Sequence, residues 1–240
     1  MTFRWLLFFL GPLTLWSATP VLAEGLSLVA LELPGLTNIK KEGAYGNLYN
    51  ALQAEKIITG WEVAPILRAH QVFLTKQAAC IAPSSEFTLA EYNVDPENIA
   101  PMIPFNKVQG YLFTAPKYRL KAGQKPTLGI VGLGLIFGVE QSAYELVRIA
   151  TYDQLLYLVG ENRVSAAYVN YPDVNHYPEA MKVAESFKGE IELRWDGVDN
   201  ILCWKKHAAL RNKIADAVIA WREDGSLAKM VGKYYITSDK

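Results

Sequence analysis

The sequence predicts an α/β protein made of two units. Three observations carry that prediction. Short β-like runs alternate with helix-like runs, proline and glycine punctuate the joints, and the alternation begins again after a basic, loop-like stretch at 116–125. Leu26 to Leu31 reads as the first strand and is ended by Pro34-Gly35. Tyr45 to Lys56 reads as a helix with Leu48, Ala51 and Leu52 on one face. Trp61 to Ala64 is a second strand. Ile66 to Thr75 is a second helix, with Ile66, Ala69 and Phe73 on one side. Ala79 to Ala82 is a third strand, stopped by Pro83. A strand-helix-strand-helix-strand order with short joints implies a parallel sheet wrapped by helices.

The stretch 86–106 is less regular and carries three prolines, and Val108 to Thr114 reads as a strand leaving the first unit. In the second unit, Thr127 to Val131 and Ala166 to Val169 are expected strands. Val139 to Ile149, Tyr152 to Val159 and Pro178 to Phe187 are expected helices. Ile191 to Trp195 and Asn200 to Trp204 are two more expected strands. His207 to Glu223 is the clearest helix, with Leu210, Ile214, Ala217, Val218 and Trp221 in one apolar stripe. Asp224-Gly225 ends it, and Ser226 is placed to cap a short helix that runs to Lys233. Two units joined by two extended crossings leave a cleft between them, the usual place for a small ligand.

Composition narrows the function. The chain has 240 residues, 51% hydrophobic and 20% charged, which excludes disorder and a polytopic membrane protein. Twenty-four basic residues balance 24 acidic ones, so no net field points to nucleic acid. Two cysteines and three scattered histidines offer no metal cluster, and no cofactor is expected. Met1 to Ala23 has one charge, Arg4, then an apolar run from Trp5 to Trp16 and small residues ahead of Ala23. That pattern is a secretory signal, expected to be cut after Ala23, and its run falls short of the roughly 20 residues that span a bilayer. Export places the chain in the periplasm, where ATP and NAD are scarce and cysteines can pair. Cys80 and Cys203 both fall on expected strands of the first unit and can form a disulfide or remain two buried thiols.

The C-terminal residues carry a resemblance. Ala208-Ala209-Leu210-Arg211-Asn212-Lys213-Ile214 leads to Trp221-Arg222-Glu223-Asp224-Gly225-Ser226-Leu227-Ala228-Lys229-Met230 and then Lys233-Tyr234-Tyr235. This resembles the end of the extracellular solute-binding proteins of family 3, the binding components of polar amino-acid ABC transporters. Gly43-Ala44-Tyr45, Pro65-Ile66-Leu67-Arg68 and Asn162 to Val169 fit the same template. The resemblance implies a type II periplasmic-binding-protein fold: lobe 1 from 24–114 plus 198–240, and lobe 2 from 115–197. It implies a monomer that captures a small polar ligand, an amino acid or other organic ion, and an inner-membrane ABC permease as partner. A ligand-sensing accessory protein of a signalling system, or a dehydratase-like periplasmic enzyme, can use the same scaffold. The chain departs from the family at its ligand anchors. Pro83 to Leu89 has no arginine, Asn170-Tyr171 stands where the family has an aspartate, and Gly132-Leu133-Gly134-Leu135 lacks the usual hydroxyls.

Candidate ligand contacts follow from position. Gly132 and Gly134 open a strand-to-helix turn whose N–H groups can face an anion or carbonyl, although tight packing uses such glycines equally. Arg68, in the first turn of a helix, can clamp a carboxylate or serve as a surface arginine or interlobe ion pair. Ser84 and Ser85 follow the third strand and can bond a ligand or cap a turn. Tyr45, Tyr111 and Tyr171 can form aromatic walls or core, as can Tyr168. Asn170 takes the displaced aspartate's place, and Glu32, after the first strand, is the candidate partner for a ligand ammonium. His70, His176 and His207 read as surface residues. No pair of acids, with Glu32, Glu86 and Asp173 considered, has a spacing that suggests catalysis, so no catalytic residue is assigned.

Overall fold

A computed structural model describes residues 26–236 except 34, 86–88, 91, 116–117, 121, 132–135, 137, 150–151 and 172–189. The expected signal segment, the Gly132-to-Leu135 turn, His176 and the helix expected over 178–187 lie outside the described residues. In the first half, β1 (Leu26–Leu31) is followed by α1 (Ala44–Ala54), β2 (Trp61–Ala64), α2 (Ile66–Leu74) and β3 (Ala78–Ser84). β1 lies between β2 and β3 and pairs with both in parallel. The long β4 (Ile103–Thr114) then leads to β5 (Thr127–Val131), β6 (Glu145–Ile149), α3 (Tyr152–Gly160) and β7 (Ala166–Tyr171). β8 (Glu190–Cys203) runs back, followed by α4 (Ala208–Glu223) and α5 (Ser226–Val231). The strands form one sheet in the order β2-β1-β3-β8-β4-β7-β5-β6.

Packing separates the two ends of that sheet. On one face of the first half, Leu48, Tyr49 and Leu52 of α1 meet Trp61, Ile214 and Val218 around Leu28 and Ala30. On the other face, Ala69 and Phe73 of α2 cover Val29, Ile81 and Leu202. The second half has cores of its own, one around Leu155, Val159, Ala167 and Val169 and the other around Leu128, Ile130 and Tyr168. Burial of these faces supplies the favourable free energy, at roughly 25 cal/mol per Å² of apolar surface. The α4 stripe expected from the sequence is the one that packs: Ile214, Ala215, Val218 and Trp221 are buried.

Four expectations change. Val139 to Ile149 is a 3-10 turn (Gln141–Ala143) followed by strand β6, which pairs in parallel with β5. Its apolar residues are too few to fix the period, and β-branched Val147 and Ile149 suit an edge strand. The third strand runs through Pro83 to Ser84, and its register with β8 shifts where proline offers no N–H. The two late strands are one, because β8 continues through Asp196-Gly197, where the Trp195 ring lies over the glycine. At the start of α5 the cap is supplied by Asp224, whose Oδ1 accepts from the Ser226 N–H at 2.7 Å, with Gly225 at φ 77° between the helices.

Gly43 is the clearest case of a glycine the fold requires. It precedes α1 at φ 111°, and a Cβ there would lie 2.6 Å from the Leu36 carbonyl oxygen. Gly43→Ala is therefore expected to destabilise the chain by about 3 kcal/mol, from backbone strain and overlap together. Urea denaturation followed by tryptophan fluorescence measures it; a loss below about 1 kcal/mol would contradict the tight approach.

Candidate functional site

The directions of the strands define the site. β3 is antiparallel to β8, and β8 to β4, so β1, β2 and β3 run the same way as β4. β7 is antiparallel to β4 and parallel to β5, so the second set runs the opposite way. The carboxyl ends of the two parallel sets therefore face each other. The first set ends where Ser84 and Pro104 both pair with Asn200, and the second ends where Tyr171 pairs with Gln109. Between those rows, among the described residues, the halves are joined in the sheet by β4 and β8 alone, through pairs such as Asn106 with Asp199 and Val108 with Gly197. This two-stranded bridge between opposed strand ends is where an open α/β sheet presents backbone and side chains to a ligand.

Glu32 immediately follows β1, with its N–H bonded to the Ala64 carbonyl at 2.8 Å. The β1–β3 pairing ends at Ala30 opposite Ala82, so Glu32 and Ser84 each lie two residues past the last paired position. The Ser84 side chain is 8% exposed and its Oγ has no hydrogen-bond partner. Ser85 is half-buried and does have an interaction. On the facing set, Asn170 pairs with Gly110, and its buried Oδ1 is likewise without a partner. Tyr171 ends β7; Tyr111 is half-buried and its hydroxyl donates to Gln109 Oε1 at 3.0 Å. The Tyr168 ring lies across Gly110, where a Cβ would overlap the phenol oxygen.

Other residues are placed elsewhere. Tyr45 is fully buried in the first core, edge-on to Phe105, and its hydroxyl donates to Asp199 Oδ2 at 2.5 Å. It is a core residue: it opens α1 on the face that carries Leu48 and Leu52, and that face turns inward. Arg68 is exposed and its Nη1 donates to Gln71 Oε1 at 3.1 Å. His70 is a core residue at 7% exposure, stacked on Tyr92, with Nδ1 2.8 Å from the Ile66 carbonyl. Burial holds its pKa below the usual imidazole value. Gly132 and Gly134 lie outside the described residues, as do Glu86 and Asp173.

Sequence reading missed the polar cluster at the foot of the bridge. Asn106 Nδ2 donates to the Tyr45 hydroxyl at 2.9 Å and to the Tyr234 carbonyl at 3.0 Å, and Asn106 Oδ1 accepts from the Ile236 N–H at 3.0 Å. Burial pushes the Asp199 carboxyl up to about 7, against the lowering effect of the Tyr45 hydrogen bond. An acid at the edge of an Asp-Gly pair reads as a turn, and only the tertiary contact with Tyr45 reveals it. Lys107 on the bridge is paired with Asp196 at 2.7 Å. Among the described residues no group of His, Cys, Asp and Glu is arranged to hold a metal ion, and no helix is long and apolar enough to cross a membrane.

No family model matches the chain, and no curated protein matches it significantly. Solved structures do resemble it. The GluR0 ligand-binding core in complex with L-glutamate superposes with TM-score 0.65 at 11% identity, covering 89% of this chain and 99% of that one. An ArgBP mutant from T. maritima gives 0.61 at 12% identity, with 88% and 95% covered. The amino acid ABC transporter substrate-binding protein AbpA from Streptococcus pneumoniae, bound to L-arginine, gives 0.58 at 13% identity, with 85% and 92% covered. The fold is therefore that of the type II periplasmic-binding proteins, with two α/β halves joined by two crossing strands.

Proposed function

We propose that this chain is an exported solute-binding protein that captures a small polar ligand between its two halves and delivers it to an inner-membrane ABC permease. Lobe 1 comprises 24–114 plus 198–240 and lobe 2 comprises 115–197; the leader is cut after Ala23, and the mature protein works as a periplasmic monomer without catalysis. One observation carries this reading: opposed strand ends, each bearing a buried oxygen without a partner, meet across a two-stranded bridge. The fold's likeness to proteins solved with L-arginine and L-glutamate supports it. Glu32, Ser84, Ser85, Tyr111, Asn170 and Tyr171 are the ligand-side residues of this proposal, together with Gly132 and Gly134, which follow β5 in the sequence.

Closing on a ligand shifts an open–closed equilibrium and stabilises the fold. A ligand at about 100 times its Kd should add about 2.7 kcal/mol and raise the melting temperature by roughly 5–10 °C. Thermal shift against amino acids, organic acids and amines, with X-ray scattering on each hit, tests this. A rise in Tm with a smaller radius of gyration is expected; neither change across the whole panel overturns the reading.

A further inference from the structure

Of the two acids on the bridge, Asp196 is paired with Lys107, and Asp199 has no base beside it among the described residues. Along β8, Asp196 and Val198 are exposed while Trp195, Gly197 and Asp199 are half-buried, so these three share one face of the bridge. Opposite them on β4 stand Gly110, Val108 and Asn106. The Tyr45 hydroxyl donates to Asp199 Oδ2, whereas Oδ1 has no hydrogen-bond partner and is open to solvent. Tyr45 lies in the first turn of α1, which begins at the carboxyl end of β1, so this acid stands where the opposed strand ends meet. Lys107 is opposite Val198, on the other face with Asp196, and does not reach Asp199. The remaining groups around it are neutral. From α1 come Tyr45 and Tyr49, a phenol that burial raises well above its ordinary pKa, and from β4 comes Asn106. From the C-terminal segment Tyr234 offers its carbonyl to Asn106, and Lys233 lies over the Tyr234 ring. An aromatic ring completes the face. The six-membered ring of Trp195 lies over Gly197, where a Cβ would overlap it. Gly197 is one two-residue step, about 7 Å, from Asp199. Trp195 belongs to none of the four apolar cores, so packing among the described interior residues does not explain why its ring folds onto the bridge. A carboxylate and an aromatic face on either side of a residue without a side chain suit an organic cation. The carboxylate pairs with its charge, and the ring attracts it from within about 6 Å.

We propose that Trp195, Gly197 and Asp199 form a cation seat on the bridge, in which the ammonium or guanidinium group of the captured solute lies beside Gly197, between the Trp195 ring and Asp199 Oδ1. The proposal rests on the solute-binding reading and names one group that the solute presents. Burial holds the ligand-free carboxyl protonated up to about pH 7, so a bound cation displaces that proton to solvent. Affinity for a cation is therefore expected to rise about tenfold per pH unit below 7 and to level off above it. Probes with a single charge, each beside its neutral isostere, test the seat: n-butylguanidinium against n-butylurea, and choline against 3,3-dimethylbutan-1-ol. Each is titrated at pH 8 while NMR follows the indole N–H of Trp195, assigned through its loss in Trp195→Phe. The cations are expected to shift that resonance saturably, and the isosteres to bind about tenfold more weakly or less. Asp199→Asn, which keeps an acceptor for Tyr45, is expected to weaken the cations about tenfold and to flatten their pH dependence between about 6 and 8. Isosteres that bind as well as the cations overturn the seat, as do cations that Asp199→Asn leaves unaffected or that never move the Trp195 resonance. The thermal-shift panel decides the solute-binding reading separately. A panel hit that compacts the chain with the Trp195 resonance unmoved overturns the seat and leaves that reading standing.

Discussion

Replacing both Cys80 and Cys203 with alanine is expected to remove about 5 kcal/mol of folding stability. The two cysteines sit opposite each other where β3 meets β8 and form a disulfide across 123 residues of sequence. That loop contains β4, the whole second half of the sheet and most of β8. Holding its ends together removes many conformations from the unfolded chain, and loop-closure entropy for a loop of this length gives the figure. Both residues are fully buried in the core that holds Leu28, Ile103 and Ile201, so a reductant reaches the bond only when the chain opens. Domains of this size are stable by about 5–15 kcal/mol, so the loss is a large share of the total. Equilibrium urea denaturation of the double variant beside the oxidised wild type measures it. A difference under about 1 kcal/mol would mean that the denatured chain already keeps these segments together.

How much of this was legible beforehand depended on whether the signal was local. The first half was readable because each strand and helix carries its own period and its own stop: Leu28 and Ala30 alternate into the core, and α4 shows its stripe over four turns. The C-terminal pattern added the topology that periodicity alone could not supply. Non-local facts were not legible. β6 is an edge strand only because β5 lies beside it, and β8 is continuous because β4 pairs with it from Glu190 to Ile201. At the site, Glu32, Ser84 and Asn170 could be placed from strand ends alone. Tyr45 and Asp199 could not, since nothing in the sequence joins positions 154 residues apart. The cluster they form is a product of the bridge geometry, in which Asn106 and Asp199 face each other on crossing strands.

That cluster gives the second large effect, a dependence of stability on pH that is opposite to the usual one for an acid. In the folded chain burial raises the Asp199 carboxyl from 3.8 to about 7. Below about pH 4 both folded and unfolded chains hold the proton and the group contributes nothing. As pH rises from about 4 to 7 the unfolded chain releases its proton and the folded chain keeps it, so stability falls by up to about 1.4 kcal/mol per unit, roughly 4 kcal/mol in all. Above about pH 7 the folded chain holds an ionised, partly buried carboxylate and the penalty is complete. The neighbours relieve it only in part: the Tyr45 hydroxyl donates to the carboxylate and lowers its pKa, but the Tyr49 hydroxyl is itself raised by burial and by Asp199, and Lys107 is committed to Asp196. Asp199→Asn keeps an acceptor for Tyr45 and removes the charge. At pH 8 it is expected to stabilise the chain by about 2–4 kcal/mol, and at pH 4 to leave stability within about 1 kcal/mol of wild type. His70 and His207 work in the other direction below about pH 6.5, because burial lowers both imidazoles. The measurement is therefore the difference between variant and wild type at each pH, taken from urea midpoints. A variant that loses stability equally at pH 4 and pH 8 would show that Asp199 stays ionised in the fold throughout and that Tyr45 and Asn106 solvate it well enough to cancel its burial.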